Sequence, residues 1–267
     1  MKPIRTADSL KRAWKRSGSS FVRFVNRLDR EGIPYLSPSK LSCVERCPCC
    51  YYRQYVLGVN EVSAAMKSGS LFHQAAKNFY AAFRAGRVLK PTQLLNRGKL
   101  TALTKESRIK LGNALALLKS NHWEEHEVVS IEEPFFMDLL GSLPPVIGIA
   151  DLVLQRKGSF IVVDHKTSNT FHELDPVQLI LYAEHVRREA ATRAIVGVFD
   201  EYRLVPNLDS LRKPAFRRTP VSVDRSFLPG LVRRYREAWK RILAINRDGQ
   251  PPPSPDCWFC NSVSRWH

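Results

Sequence analysis

Apolar residues recur with helical spacing in the first third of the chain. Between residues 1 and 33 they alternate with basic residues, which predicts an amphipathic helix or two, broken around residues 17–20. These apolar residues are Leu10, Trp14, Phe21, Val25 and Leu28. A helix start is predicted at Ser37, with an interruption at Pro48. Clearer helical patterns follow over 69–86, which Gly86 ends, and over about 91–122.

The pattern then changes to strands. Apolar runs joined by short Gly- or Pro-containing connections predict strands at 127–139, 146–156, 159–167 and 193–205. A crossover helix is predicted at 175–190, and a long basic helix at 224–249. Helices, a strand meander, a crossover helix and another strand indicate an α/β or α+β domain around a mixed sheet.

The charge of the chain adds a class of partner. The 267 residues carry a formal net charge of +17 and have a pI near 9.9, which predicts a polyanion such as DNA as the partner. The basic helices within residues 1–30 and 225–247 would contact its phosphates. We find no apolar run long enough for a membrane span and no secretory signal, so we expect a cytoplasmic protein that binds no membrane.

The strand at 159–167 ends in charged residues. Side chains alternate along a strand, so Asp164 and Lys166 share one face and His165 points to the other. If strands 146–156 and 159–167 form a hairpin, Asp151 lies beside Asp164. Two neighbouring carboxylates need a cation, and oxygen ligands favour Mg²⁺ or Mn²⁺. The arrangement suits phosphodiester hydrolysis, although Asp164 and Lys166 alone could simply be an ion pair.

Five motifs in the same order resemble the PD-(D/E)XK nuclease superfamily, in particular RecB- and AddB-like exonuclease domains and the related CRISPR adaptation nucleases. The resemblance covers roughly residues 35–262. The motifs are "LSPSKLSCVERCPCCYYRQYVLG", "GSLFH", "GIAD", "VVDHKTS" and "QLILY". It implies a restriction-endonuclease-like core: a mixed central sheet flanked by helices, preceded by an N-terminal helical region.

The resemblance also assigns roles to residues. His73, Asp151 and Asp164 would bind the metal, together with the backbone carbonyl of His165. Lys166 would position the attacking water and stabilise the transition state. Gln178 and Tyr182 share a helix face, and they would orient DNA or Lys166. A further acid for this site is expected at Glu133, with Glu132 as the competing candidate.

Six cysteines fall into two groups at opposite ends of the sequence. Four lie in "CVERCPCC" and two in "CWFC", which indicates a metal site rather than disulfides in a reducing compartment. Cys47, Cys50, Cys257 and Cys260 match a four-thiolate zinc pattern. Some members of the resembled family instead hold a [4Fe–4S] cluster, with one early and three late cysteines, and by this resemblance we favour the cluster over zinc. The third late cysteine is missing here, so Cys50, Cys43 or His267 would supply the fourth ligand.

We therefore expect a basic N-terminal extension over residues 1–33 and a nuclease domain over 34–267, whose two ends the cysteine site joins. The expected activity is that of a metal-dependent deoxyribonuclease. An exonuclease acting on DNA ends or single strands, in recombination, repair or phage DNA metabolism, is favoured over an endonuclease. No P-loop motif is present, so a helicase or recombination partner would unwind the DNA. Two alternatives are an inactive DNA-binding module with this fold and a zinc-binding RNA- or DNA-binding assembly protein.

Overall fold

A computed structural model describes most of the chain. The described residues are 5–59, 64–90, 93–95, 98, 101, 103–192, 194–208, 214–255, 257 and 260. They form two compact units, and the chain passes between the units within strands β1 and β2. The first unit comprises 1–61, 134–148 and 226–267, and the second comprises 62–133 and 149–225. Among the described residues, we find no helix long and apolar enough to cross a membrane.

The helices follow the predicted pattern, with bounds that differ from the predicted ones. They are α1 (Ala7–Ser17), α2 (Phe21–Arg30), α3 (Pro38–Arg46), α4 (Pro48–Tyr51), a π-helix (Tyr52–Val56), α5 (Ala64–Arg84), α6 (Lys105–Ser120), α7 (Val177–Ala190), a 3₁₀ turn (Arg225–Phe227) and α8 (Leu228–Asp248). The predicted start at Ser37 is confirmed, because its hydroxyl accepts a hydrogen bond from the Lys40 amide at 3.1 Å. The predicted interruption at Pro48 is also confirmed, since Cys47 before it is extended.

Five strands form one mixed sheet in the order β1-β2-β3-β4-β5. They are β1 (Glu127–Met137), β2 (Val146–Arg156), β3 (Ser159–Ser168), β4 (Ile195–Arg203) and β5 (Phe216–Val221). Strands β2 and β3 are antiparallel, β3 and β4 are parallel, and β4 and β5 are antiparallel. The helix α7 makes the crossover between the two parallel strands. The predicted mixed sheet with flanking helices is thereby confirmed.

Strand β5 was not predicted from the sequence. Its residues, "FRRTPV", include two arginines and a proline, which resemble a loop. Proline is tolerated here because β5 is at the end of the sheet order and pairs on one side only. The helix predicted over 91–122 is observed as α6, which begins at Lys105. Several positions between 91 and 104 lie outside the described residues.

The core of the second unit lies where α5 and α6 pack on the sheet. It buries Phe72, Ala75, Ala76, Tyr80, Leu111, Leu115, Leu152, Leu154, Val163 and Tyr202, among others. Gly69 lets α5 approach β3 closely, because a Cβ there would lie 3.1 Å from the Thr167 hydroxyl oxygen. This contact gives a physical reason for the glycine of the "GSLFH" motif.

The first unit has a smaller core of its own. Helices α1 and α2 bury apolar residues against the end of β1 and the start of β2; the set is Ala7, Leu10, Phe24, Leu28, Ile33, Tyr35, Phe136 and Ile147. In the same unit, Leu36 forms a parallel bridge with Val146. The basic faces of α1 and α2 stay in solvent, as the amphipathic pattern predicts.

Candidate active site

The β2–β3 hairpin brings two carboxylates together. Its register pairs Leu152 with Val163, so the next position along the ladder sets Asp151 opposite Asp164. The backbone N–H of His165 donates a hydrogen bond to Asp151 Oδ2 at 2.9 Å. His73 reaches the same oxygen from α5, with its Nδ1 at 3.3 Å. The hairpin predicted from the sequence therefore forms, and it places all four residues together.

The pKa values of the two carboxyl groups are shifted in opposite directions. Burial would raise the pKa of Asp151, but the neighbouring His73 outweighs it and holds that pKa at about 2. Burial raises the pKa of Asp164 to about 6, and the charge of Asp151 adds to this increase while Lys166 opposes it. The buried site therefore holds one firmly ionised carboxylate beside one that resists ionisation.

Asp164 is the most buried charged group of the site. Its side chain is 1% exposed, and Lys166 Nζ lies 2.6 Å from Asp164 Oδ2. Beyond this ion pair, neither carboxylate oxygen accepts a well-formed hydrogen bond from the described residues. A buried carboxylate with so few donors has lone pairs left for another positive ligand.

Helix α7 positions Lys166 from the other side. Lys166 Nζ donates a hydrogen bond to Gln178 Oε1 at 2.9 Å, and the Gln178 amide in turn donates to the Tyr182 hydroxyl. The four-residue spacing puts Gln178 and Tyr182 on one face of α7, as predicted. Tyr182 is buried, so its contact with the site runs through Gln178.

The ring of His165 points away from this cluster, as the strand alternation predicts. It stacks on Tyr80, with ring centres 5.9 Å apart and planes 14° apart, and also contacts Phe72 and Tyr202. Burial lowers the pKa of His165, so the imidazole is neutral there. The backbone of His165 is the part that lies at the site.

The expected further acid from β1 does not join these residues. Glu132 forms an ion pair with Lys77 at 2.9 Å. Glu133 is exposed and makes no hydrogen bond or ion pair within the described part of the chain. One acid near Lys166 was not predicted from the sequence. Glu201 of β4 pairs in register with Lys166 and is 2% exposed. Two adjacent acids inside the apolar run "IVGVFDEYR" were the available signal.

Glu201 is held by the missed strand. Arg217 of β5 donates two hydrogen bonds to its carboxylate, at 2.6 and 2.8 Å, and one to the backbone carbonyl of His172 at 2.8 Å. The same guanidinium lies 4.7 Å from the ring centre of Phe171. Arg217 thus ties the segment after β3 to the strand beside Lys166.

The four predicted cysteines meet in the first unit. Sγ–Sγ distances are 3.7 Å for Cys47 and Cys260, 3.2 Å for Cys50 and Cys257, and 3.3 Å for Cys50 and Cys260. All four sulfur atoms lie within 4.8 Å of one another, and all four residues are buried. Cys43 instead faces Gln54, with its Sγ 3.8 Å from Oε1. The remaining candidate, His267, lies outside the described residues.

Comparison of the chain with known proteins gave one family match and several structural matches. The family model of the PD-(D/E)XK nuclease superfamily matches residues 35–265. A solved structure from Eubacterium rectale, provisionally named an exonuclease, aligns with a TM-score of 0.56 at 14% identity, over 85% of this chain and 87% of that chain. The solved structure of SSO0001 covers 72% of this chain and 84% of that chain at 13% identity, with a TM-score of 0.33. No curated protein matches.

Proposed function

The chain belongs to the PD-(D/E)XK nuclease superfamily, and we propose that it is a metal-dependent nuclease that hydrolyses DNA. One observation carries the proposal. The buried carboxylate of Asp164 lies opposite Asp151, and beyond the ion pair with Lys166 its oxygens accept no well-formed hydrogen bond from the described residues. Burying such a pair costs free energy, and a bound cation would offset that cost.

The residues present fit a hard divalent cation. Asp151 and Asp164 offer carboxylate oxygens, and His73 offers an imidazole nitrogen beside them. Mg²⁺ and Mn²⁺ prefer oxygen ligands and accept a single nitrogen. We propose that these three residues and the backbone carbonyl of His165 hold the ion. When bound, it would polarise the scissile phosphate and lower the pKa of a water molecule.

The chain's own groups would then orient the reactants. Burial lowers the pKa of Lys166, but Asp164 outweighs it, so the pKa is raised and the ammonium stays charged. Its N–H groups can hold the attacking water and stabilise negative charge on the phosphate. Gln178 and Tyr182 would fix the position of Nζ through their hydrogen bonds.

We propose exonuclease action on ends or single strands of DNA, in repair, recombination or phage DNA metabolism. The fold likeness to the Eubacterium rectale protein and the basic composition support this choice. The basic faces of α1 and α2, within the proposed extension over residues 1–33, and of α8 would contact phosphates. A helicase or recombination partner would supply unwinding.

The test compares wild-type protein with Lys166→Ala. Both are incubated with end-labelled linear DNA and covalently closed circular DNA, with Mg²⁺ or Mn²⁺. We expect metal-dependent loss of linear DNA by wild type, with the closed circle spared, and a loss of at least about 100-fold in rate for the variant. Lys119→Ala, an exposed lysine at the end of α6, is the matched control and should cleave like wild type.

Two outcomes would refute the mechanism. If wild type shows no metal-dependent cleavage, the chain is a binding module only. If Lys166→Ala cleaves as fast as wild type, this lysine takes no part in the reaction. Rapid cleavage of the closed circular DNA would support nuclease activity but contradict the proposed exonuclease action.

We further propose that the four-cysteine group holds a structural metal. None of the six cysteines forms a disulfide, which fits a reducing compartment such as the cytoplasm. One tetrahedral zinc with Zn–S bonds of about 2.3 Å needs sulfur atoms about 3.8 Å apart, close to the observed spacing. A [4Fe–4S] cluster is larger, so the thiols would have to move apart to hold it. Elemental analysis and visible absorption of purified protein distinguish iron from zinc.

A further inference from the structure

A recess of about 420 Å³ opens in the first unit beside α2 and α8. We call it the aromatic recess, because four aromatic side chains line it: Tyr35, Tyr51, Tyr55 and Trp239. The rings of Tyr51 and Tyr55 are 5.1 Å apart at an angle of 30°. Tyr55 is half-buried while the other three are buried, so Tyr55 is the ring that a ligand can reach.

The floor of the aromatic recess is polar. Lys40 is 6% exposed, and its Nζ lies 2.9 Å from Asp29 Oδ1 and 3.4 Å from the centre of the Tyr35 ring. The Tyr35 hydroxyl donates to both Asp29 oxygens at 2.8 Å. The Asp29 side chain keeps 28% of its exposure, so an edge of the carboxylate stays accessible. Flat apolar walls above a hydrogen-bond acceptor suit the face of a nucleobase and an N–H group on its edge.

A second recess, of about 690 Å³, adjoins the first and shares Asp29, Tyr55 and Val56 with it. We call it the arginine recess, because Arg23 and Arg30 line it from α2. Both arginines are exposed, and neither has an ion-pair partner among the described residues. The charge of Asp29 is already balanced by Lys40. The arginine recess is therefore positive and suits a phosphate group.

The edge of the two recesses is apolar and exposed. Val56 keeps 44% of its exposure and Leu57 keeps 54%. They lie at the end of the π-helix Tyr52–Val56, a helix type that is common at functional sites. Packing of the first unit explains the buried tyrosines, but it leaves the exposed apolar edge and the two unpaired arginines without a role.

We propose that the two recesses bind one nucleotide of single-stranded DNA, with its base against Tyr55 in the aromatic recess and its phosphate on Arg23 and Arg30. The inference rests on the proposed DNA substrate, and it adds a binding site outside the predicted catalytic residues. An unpaired strand is required, because only an unstacked base exposes its face to an aromatic ring.

The test measures binding separately from cleavage. Full-length Lys166→Ala protein is titrated into a fluorescein-labelled oligothymidylate, and into an abasic strand of the same length and charge, with fluorescence anisotropy as the readout. Adding Tyr55→Ala should weaken binding of the base-bearing strand by about 5- to 100-fold and leave the abasic strand unchanged. Tyr55→Phe keeps the ring and should bind like the parent.

The arginines have a different signature. Arg23→Gln with Arg30→Gln should weaken binding of both strands and reduce the slope of log K against log salt by about 0.7, the value for one neutralised phosphate on a single strand. Two matched controls lie outside both recesses: Tyr52 of the same π-helix and Lys119 at the end of α6. Tyr52→Ala and Lys119→Gln should leave both affinities unchanged.

The inference is overturned if Tyr55→Ala binds oligothymidylate like the parent, or if it loses the abasic strand equally. Should Tyr55→Ala fail to fold, Tyr55→Leu removes the aromatic face while filling its space, and the same two results decide. Failure of the proposed function is distinct. It would appear as absent metal-dependent cleavage by wild type, whatever the Tyr55 variants bind.

Discussion

The Lys166 ammonium group has two neighbours that fix its position, and removing one should slow cleavage without weakening DNA binding. Asp164 Oδ2 lies 2.6 Å from Nζ, and Gln178 Oε1 lies 2.9 Å from it. Gln178→Ala deletes the second acceptor and leaves the ion pair intact. The ammonium is then held by Asp164 alone, and its position relative to the attacking water is less well fixed.

The magnitude follows from the kind of hydrogen bond that is lost. A hydrogen bond to a charged group contributes about 1.5 to 3 kcal/mol. Because Gln178 is only half-buried and Asp164 still holds the ammonium, we take the lower part of this range, about 1.5 to 2 kcal/mol. At about 1.36 kcal/mol for each factor of ten, kcat should fall about 13- to 30-fold, with KM within about twofold of wild type.

The assay is steady-state cleavage of end-labelled single-stranded DNA in saturating Mg²⁺ or Mn²⁺. Gln178→Glu keeps an oxygen acceptor for the ammonium and should recover most of kcat. Tyr182→Phe removes only the partner of Gln178, so its loss should be smaller than that of Gln178→Ala. Gln155→Ala, a half-buried glutamine of β2, is the control and should leave both constants unchanged.

One result would refute this reasoning. If Gln178→Ala raises KM and leaves kcat unchanged, Gln178 contacts DNA rather than Lys166. The sequence left these two roles open, and only the split between kcat and KM separates them.

Two further predictions concern stability. Cys257→Ser removes one of the four clustered thiols and should lower the melting temperature by about 2 to 4 °C for each kcal/mol lost, with kcat little changed. Cys43→Ser, which changes a buried thiol outside the cluster, should lower it less, and equal melting curves for the two variants would contradict a structural metal. Among the described residues, Arg218→Ala leaves the fully buried Asp200 with only the Trp123 indole as a side-chain donor, so urea unfolding should show a loss of about 2 to 4 kcal/mol, after allowance for the 31% exposure of Arg218. Adding Asp200→Ala should restore part of this lost stability. A loss below about 1 kcal/mol for Arg218→Ala alone would contradict the stabilising role of the ion pair.

The hairpin was predictable because two local rules determine it. The apolar runs of β2 and β3 identify the strands, and the short Lys157–Gly158 turn fixes their register. Once the register is fixed, the strand pleat dictates which side chains share a face. Asp151 and Asp164 therefore follow from the sequence alone.

Strand β5 and its partners were not predictable in the same way. Its arginines are charged in the sequence, yet Arg218 donates to the buried Asp200 and Arg217 to the buried Glu201. Such ion pairs join residues from separate strands, so no local pattern reveals them. The aromatic recess was not predicted from the sequence either, because its walls come from segments far apart in the chain.

The distance between the helices and the sheet decides whether the predicted residues can meet. On α5, Gly69 allows close contact with Thr167, four residues before His73. On the strand next to β3, a Cβ at Gly197 would lie 2.6 Å from Val223 Cγ1 and 3.3 Å from Leu179 Cβ, so this glycine leaves room for both Val223 and α7. Leu179 follows Gln178 directly, and a more distant α7 would carry the amide away from Lys166. The glycine on β4 therefore contributes to the position of the lysine, together with the lysine's own hydrogen bond and ion pair.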